Sequence, residues 1–401
     1  MSNYSREDVL IYGAYRTPIG DLNGSLATLK AHELGSVVIH KLLETTGLPA
    51  ENVSEVILGQ VFTAGQGMNP ARQAAVKAGI PFSVPAHTLS FVCGSGLKAV
   101  ANAYQSIKCG DNNVVIAGGQ ESMTNAPHCV GMRSGVKFGN GTLTDIMLND
   151  GLTDAFHGYL MGSTAENVAK QWNISREEQD KFAANSQQKI GQSLTQNAFA
   201  GEIVPVEVKQ RRETITVTED QSPKVNTTAE TLSKLRPAFI KDGSGTVTAG
   251  NSSTINDGAA CVLLSTLEEA QRLNVKEEPL ARIVSWAQVG IDPSIMGVAP
   301  VGAVQKAVAK AGWTLDEVDL FELNEAFASQ SIAVVKELNV PIEKVNVCGG
   351  SIGLGHPIGC SGCRILVTLL HAMKRMNKRK GVAALCIGGG MGIALCVERL
   401  N

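Results

Sequence analysis

Two stretches of this chain carry the same features in the same order, and this repetition constrains the fold more than any single motif. In the first, residues 9–14 read as a strand, 33–46 as a helix, 53–62 as a second strand and 88–92 as a third. A glycine elbow, Gly94-Ser95-Gly96, then opens a helical stretch at 97–107, and a polar turn at 110–113 leads into the apolar run 114–117 and Gly118-Gly119. In the second, 280–289 takes the place of the first strand and 318–323 that of the second. Residues 345–348 run into a glycine-rich elbow, 364–373 form an apolar helix, 374–381 a basic turn, and 382–387 end at Gly388-Gly389-Gly390. Strands separated by helices predict an α/β class with parallel sheets. One topology met twice, at a period far longer than a solenoid's, predicts two similar domains facing each other.

The middle of the chain breaks this rhythm. Residues 122–250 are more polar, yet they hold a helical pattern at 164–172 and a second helix opened by the capping box Ser175-Arg176-Glu177-Glu178. Residues 212–224 read as a solvated loop. The expected division is a first half from 1–121 with 251–275, an inserted loop domain at 122–250, and a second half at 276–401.

Composition removes several classes of function. The chain has 401 residues and a net charge of −2, without the basic stripe of a nucleic-acid binder. No run of about 18 apolar residues is present, so no membrane-spanning helix is expected. The polar start, Met1 to Asp8, resembles neither a signal nor a transit peptide, and the C-terminal Glu398-Arg399-Leu400-Asn401 is not a peroxisomal tripeptide or a prenylation box. Nine cysteines with no export signal point to reduced thiols and a cytoplasmic location. Glycine, at 42 residues, is in excess of the usual ~7% and is expected to sit in particular turns.

Each candidate motif has a bland reading beside a chemical one. Cys93 falls between a strand and a helix start, where backbone N–H groups lower a thiol's pKa and flanking glycines admit a substrate; alternatively it is a buried structural thiol. The same stretch, Gly94-Ser95-Gly96-Leu97-Lys98-Ala99 with Glu121 beyond the next strand, also fits a dinucleotide fingerprint. Asn324-Glu325-Ala326-Phe327 follows a strand, where α/β proteins place ligand-facing groups, or else Asn324 caps a helix. His356 is presented by the glycine loop Gly349-Gly350-Ser351-Ile352-Gly353-Leu354-Gly355, which reads as an irregular loop of fixed shape. The hydrolase elbow in that loop fails on order, because Glu398 is the only acid after Ser351. Cys360-Ser361-Gly362-Cys363 is a poor zinc site without a second pair and reads first as two packed thiols. Cys386-Ile387-Gly388-Gly389-Gly390-Met391-Gly392 gathers backbone donors suited to an oxyanion. No metal or nucleotide-hydrolysis motif is present.

Together these motifs resemble the thiolases. Val92-Cys93-Gly94-Ser95-Gly96, Asn324-Glu325-Ala326-Phe327, Gly355-His356-Pro357 and Cys386 to Gly392 stand in that family's order. Arg16-Thr17-Pro18-Ile19-Gly20, Asn69 to Gln73, Ala117 to Met123 and Gly162 to Asn167 add to the match, which spans nearly the whole chain. The resemblance implies the thiolase fold, two α/β halves with an inserted loop domain, in a dimer or tetramer. It implies condensation of two acetyl-CoA to acetoacetyl-CoA, as in the biosynthetic branch, with no permanently bound cofactor. A broader-chain degradative thiolase and a catalytically silent CoA- or lipid-binding relative are the alternatives. By resemblance Cys93 is the nucleophile, His356 its base and Cys386 the second acid/base. Asn324 holds a water that forms one oxyanion hole with His356; the N–H groups of Cys93 and Gly388 form the other. CoA contacts are implied at Lys224, Thr227, Ala249, Ser253, Met161, Phe239 and Phe327. The chain departs from the biosynthetic pattern at Leu160, where His is usual, at Lys224, where Arg is usual, and at Ser351, Gly353 and Cys360, where Ala is common. Leu160 is expected to make the acyl end more apolar and to admit a branched or slightly longer acyl group.

Overall fold

The computed structural model describes residues 4–400; Met1–Asn3 and Asn401, part of the two terminal readings above, lie outside them. The strands of the main sheet are β1 (Val9–Arg16), β2 (Glu55–Gly59), β3 (Ala86–Leu89), β4 (Val114–Ser122), β5 (Asn256–Thr266), β6 (Ala281–Gly290), β7 (Leu320–Leu323), β8 (Lys380–Ile387) and β9 (Met391–Glu398). They lie in the order β7-β8-β9-β6-β1-β5-β4-β2-β3, with the short strand Gly20–Asp21 paired to β5. The join between β1 and β6 runs through Leu10–Arg282 and Ile11–Ala281. Outward from that join the strands correspond: β1 with β6, β5 with β9, β4 with β8, β2 with β7. Val345 even bridges Phe321 in parallel, as β3 pairs β2.

The sheet is mixed, which corrects the expectation of parallel sheets. Only β2–β3, β2–β4 and β7–β8 are parallel. β9 follows β8 through the tight turn at 388–390, and β5 returns antiparallel to β4 and β1 after the long excursion of 122–250. A hairpin can only give an antiparallel pair, whereas parallel pairs need a crossover.

The main helices are α1 (Ala31–Thr46), α2 (Ser95–Cys109), α3 (Met161–Gln171), α4 (Arg176–Thr195), α5 (Ala299–Lys310), α6 (Ala328–Leu338) and α7 (Ile358–Arg375). α1 covers one outer face, on β1, β4 and β5; α5 covers the other, on β6, β8 and β9. α2 and α7 pack on each other in the central core. α7 is buried on almost every side, as its apolar composition requires. The two helices touch through glycine: a Cβ on Gly96 would lie 2.7 Å from the Cys363 nitrogen, and one on Gly362 2.4 Å from the Leu97 nitrogen. No helix among the described residues is long and apolar enough to cross a membrane.

Locally the sequence reading needs three changes. α4 begins as expected: the Glu178 N–H donates to Ser175 Oγ at 3.1 Å, and the Ser175 N–H donates to the Glu178 carboxylate at 2.8 Å. Residues 212–224, however, are not simply a solvated loop. Thr214–Val217 pairs with Val206–Lys209, and Asp220 is buried against Arg16. Arg16 donates from Nε to Glu202 at 2.6 Å and from Nη1 and Nη2 to Asp220 at 2.7 and 2.9 Å, tying this region to the end of β1. Residues 345–348 form no strand beyond the single bridge at Val345, and the glycine loop before His356 contains the short helix Ser351–Leu354.

Candidate active site

Cys93 sits in a strained turn between β3 and α2. Val92 has φ of 45°, a left-handed conformation that is a true outlier for a β-branched residue. The turn is latched by Ser95, whose hydroxyl donates to the Val92 carbonyl at 2.7 Å and accepts from the Phe91 N–H at 2.8 Å. Such strain costs about 1–3 kcal/mol and persists only where surrounding structure holds it. The adjoining glycines do not open the backbone to a ligand. A Cβ on Gly94 would meet Ile387 Cδ1 at 2.5 Å, and Gly96 meets α7, so both serve contact between the two halves. This corrects the substrate-approach reading: the glycines serve packing, not access of a ligand to the backbone.

Cys93 is half-buried and lines a cavity. Burial pushes its pKa up to about 11, while the backbone N–H of Gly388 and its own N–H pull it down. The helix start therefore does not lower the resting pKa, as the sequence suggested; desolvation dominates.

His356 follows Gly355, whose φ of 105° and closeness to Asn256 exclude a side chain. Its own N–H donates to Asn256 Oδ1 at 2.9 Å. The ring Nδ1 lies 2.6 Å from Ser361 Oγ, and that hydroxyl also lies 2.9 Å from the Pro357 carbonyl. With its proton directed to that carbonyl, Ser361 accepts from His356, so Nδ1 carries the proton and Nε2 holds the free lone pair. Nε2 is buried with no partner. Burial, aided by the Arg364 cation, holds the imidazole down at about 4, so it is neutral near pH 7.

Cys386 is the penultimate residue of β8 and is 1% exposed. Its thiol is held far above the ordinary range, first by burial and then by the nearby Cys93. After it, Gly389 and Gly390 take positive φ in the turn that brings the Gly388 N–H to Cys93.

These groups share one cavity of about 270 Å³. Of the sequence candidates, Cys93, His356, Cys386, Gly388, Met161, Phe239, Ser253 and Phe327 line it, as does Leu160 at 41% exposure. Ser253 is placed by its N–H bond to the Ala326 carbonyl at 2.9 Å. Asn324 is buried off the cavity wall, with its Nδ2 unpartnered. Lys224, Thr227 and Ala249 are not brought to the cavity: Lys224 and Ala249 are exposed, and the Thr227 hydroxyl donates to the Lys224 carbonyl at 2.6 Å. The reading of the sequence missed the apolar wall made by Leu148, Gly151, Leu152 and Ile255. No motif marks it, because 147–152 is a π-helical turn in a polar region.

Residues 9–268 match the model of the thiolase N-terminal domain and 277–399 that of the thiolase C-terminal domain. The cytosolic acetyl-CoA acetyltransferase of Mus musculus is 55% identical over 397 residues, 99% of this chain and 100% of the relative. An acetyl-CoA acetyltransferase of Pseudomonas aeruginosa is 55% identical over 395 residues, covering 98% and 100%. The crystal structure of the Bacillus anthracis acetyl-CoA acetyltransferase aligns with a TM-score of 0.94 at 42% identity over 98% of both chains.

Proposed function

This chain belongs to the thiolase family, and from that premise we propose that it condenses two acetyl-CoA to acetoacetyl-CoA and CoA, reversibly, through an acetyl-cysteine on Cys93. The observation that carries this is the meeting of the Cys93 thiol, the bare His356 Nε2, the Cys386 thiol and the Gly388 N–H at one apolar cavity.

The chemistry follows from that arrangement. His356 Nε2 takes the Cys93 proton as the sulfur attacks the first thioester carbonyl. The N–H groups of Cys93 and Gly388 face the sulfur and are placed to receive the oxyanion; one such donor is worth about 10²–10³ in turnover. Cys386 protonates the departing CoA thiolate and becomes a thiolate itself. It then removes an α-proton from the second acetyl-CoA, and the carbanion attacks acetyl-Cys93. Cys93 leaves as thiolate and recovers its proton from His356. Both thiols begin and end protonated, so the high resting pKa values suit proton carriers that ionise only during the reaction. Asn324, through a water, and His356 serve the oxyanion of the second thioester.

Met161, Ser253, Phe239 and Phe327 would flank the pantetheine arm, with the nucleotide end reaching outward toward Lys224, Thr227 and Ala249. Leu160 at the cavity mouth supports use of a branched or slightly longer acyl group besides acetyl. We assign a homo-oligomer, dimer or tetramer, from the family resemblance, and the cytoplasm from the cytosolic mouse relative. Intact mass after incubation with acetyl-CoA tests the reading: one acetyl group is expected per chain, on Cys93 and absent from Cys93→Ala. An unchanged mass in the folded protein would sink it.

A further inference from the structure

Behind the cavity, the amide of Asn324 is held in a way its catalytic assignment does not require. Its Oδ1 accepts a hydrogen bond from Ser351 Oγ at 2.6 Å. The same Oγ accepts from Arg364 Nη2 at 2.9 Å, and the other arm of that guanidinium, Nη1, donates to Glu322 at 3.3 Å. Asn324, Ser351 and Arg364 are each no more than 1% exposed.

The order of donors along this line is fixed by chemistry. Arg364 has protons and no acceptor, so it occupies a lone pair of Ser351. The one Ser351 proton then has Asn324 as its acceptor. If the amide were flipped, Nδ2 would become a second donor onto Ser351, and the Ser351 proton would be left without a partner in a buried site. The amide is therefore anchored by its oxygen, and Nδ2, unpartnered and buried, is the end left for a ligand. The backbone on either side is fixed too: the Asn324 N–H donates to the Ala384 carbonyl at 3.0 Å, and Gln330 Nε2 to the Asn324 carbonyl at 3.3 Å.

We propose that Ser351, held by Arg364, is a positioning residue that locks the Asn324 amide with its NH₂ as the free donor end. A charge-assisted hydrogen bond into Ser351 also polarises the next bond in the line, so the Nδ2 protons become better donors. The proposal rests on the thiolase reading only for the step that Asn324 serves.

A double-mutant cycle tests it. Turnover is measured for the wild-type chain, Ser351→Ala, Asn324→Ala and the double variant, beside intact-mass acetylation of Cys93. Ser351→Ala is expected to lower kcat about tenfold, with KM for acetyl-CoA changed less than twofold. In the Asn324→Ala background the same change is expected to lower kcat less than twofold, because its effect passes through the missing amide. Equal losses in both backgrounds would mark a general packing role and overturn the proposal, as would full turnover in Ser351→Ala. A wild-type chain that takes no acetyl group would overturn the thiolase reading, and the proposal with it. Should Ser351→Ala unfold, the shape-matched pair Ser351→Thr and Ser351→Val separates hydroxyl from volume: Thr keeps turnover and Val loses it, and equal turnover in the two overturns the proposal.

Discussion

The base assigned to His356 depends on one hydroxyl, and Ser361→Ala isolates it. In the native chain Ser361 Oγ accepts the Nδ1 proton at 2.6 Å, which leaves Nε2 bare toward the cavity. Removing Oγ strands a buried N–H, at about 1–3 kcal/mol. The other tautomer escapes that penalty by placing its proton on Nε2, where cavity water or substrate can accept it. The base-competent form then falls by the same energy, roughly 5- to 140-fold in population, since about 1.4 kcal/mol is a factor of ten. The assay is a quenched single turnover with acetyl-CoA, reading acetyl-Cys93 by mass. We expect the acetylation rate to drop about fivefold or more, with saturation reached at an unchanged acetyl-CoA concentration. An acetylation rate within twofold of wild type would refute the tautomer argument. So would a loss confined to acetyl-CoA affinity, which would place Ser361 in binding instead.

Three further outcomes follow from the same geometry. Gly96→Ala puts a Cβ 2.7 Å from a backbone nitrogen of α7, so a melting curve should show a loss of about 1–3 kcal/mol. Leu160→His should raise the rate with acetoacetyl-CoA relative to 2-methylacetoacetyl-CoA; an unchanged ratio removes Leu160 from acyl selection. The pH dependence of stability should also change in His356→Gln. His356 titrates at about 4 when folded against 6.5 ordinarily, so between those values the unfolded chain binds a proton that the folded chain does not. This contribution is full above about pH 6.5 and is lost as pH falls toward 4; it amounts to about 3 kcal/mol across that window. Denaturant titrations should show the wild-type advantage over His356→Gln growing with pH in that range.

The three residues that carry the proposed chemistry were legible because each stands in a glycine motif that only an unusual backbone needs. What those glycines do was not legible. Gly94 and Gly96 look locally like an open loop, but their partners are Ile387 and Cys363, more than 260 positions away. Strand direction failed for a similar reason: the antiparallel return of β5 depends on the path of residues 122–250, which no local pattern encodes. Val92 carries no mark of its left-handed turn, because Val is among the residues least expected there. Thr214–Val217 lies in a polar stretch as an alternating, half-exposed strand, and its pairing with Val206–Lys209 is what makes it one. The cavity's Leu148–Leu152 wall is likewise assembled only in three dimensions.

Separating the two thiols tests the account most directly. Wild type, Cys93→Ala and Cys386→Ala are each mixed with acetyl-CoA, and both protein mass and acetoacetyl-CoA are followed. The account predicts that wild type acetylates and condenses, that Cys93→Ala does neither, and that Cys386→Ala still gains one acetyl group on Cys93, more slowly because the departing CoA thiolate lacks its acid, but forms no acetoacetyl-CoA. Acetylation that persists in Cys93→Ala, or condensation at full rate in Cys386→Ala, would contradict it.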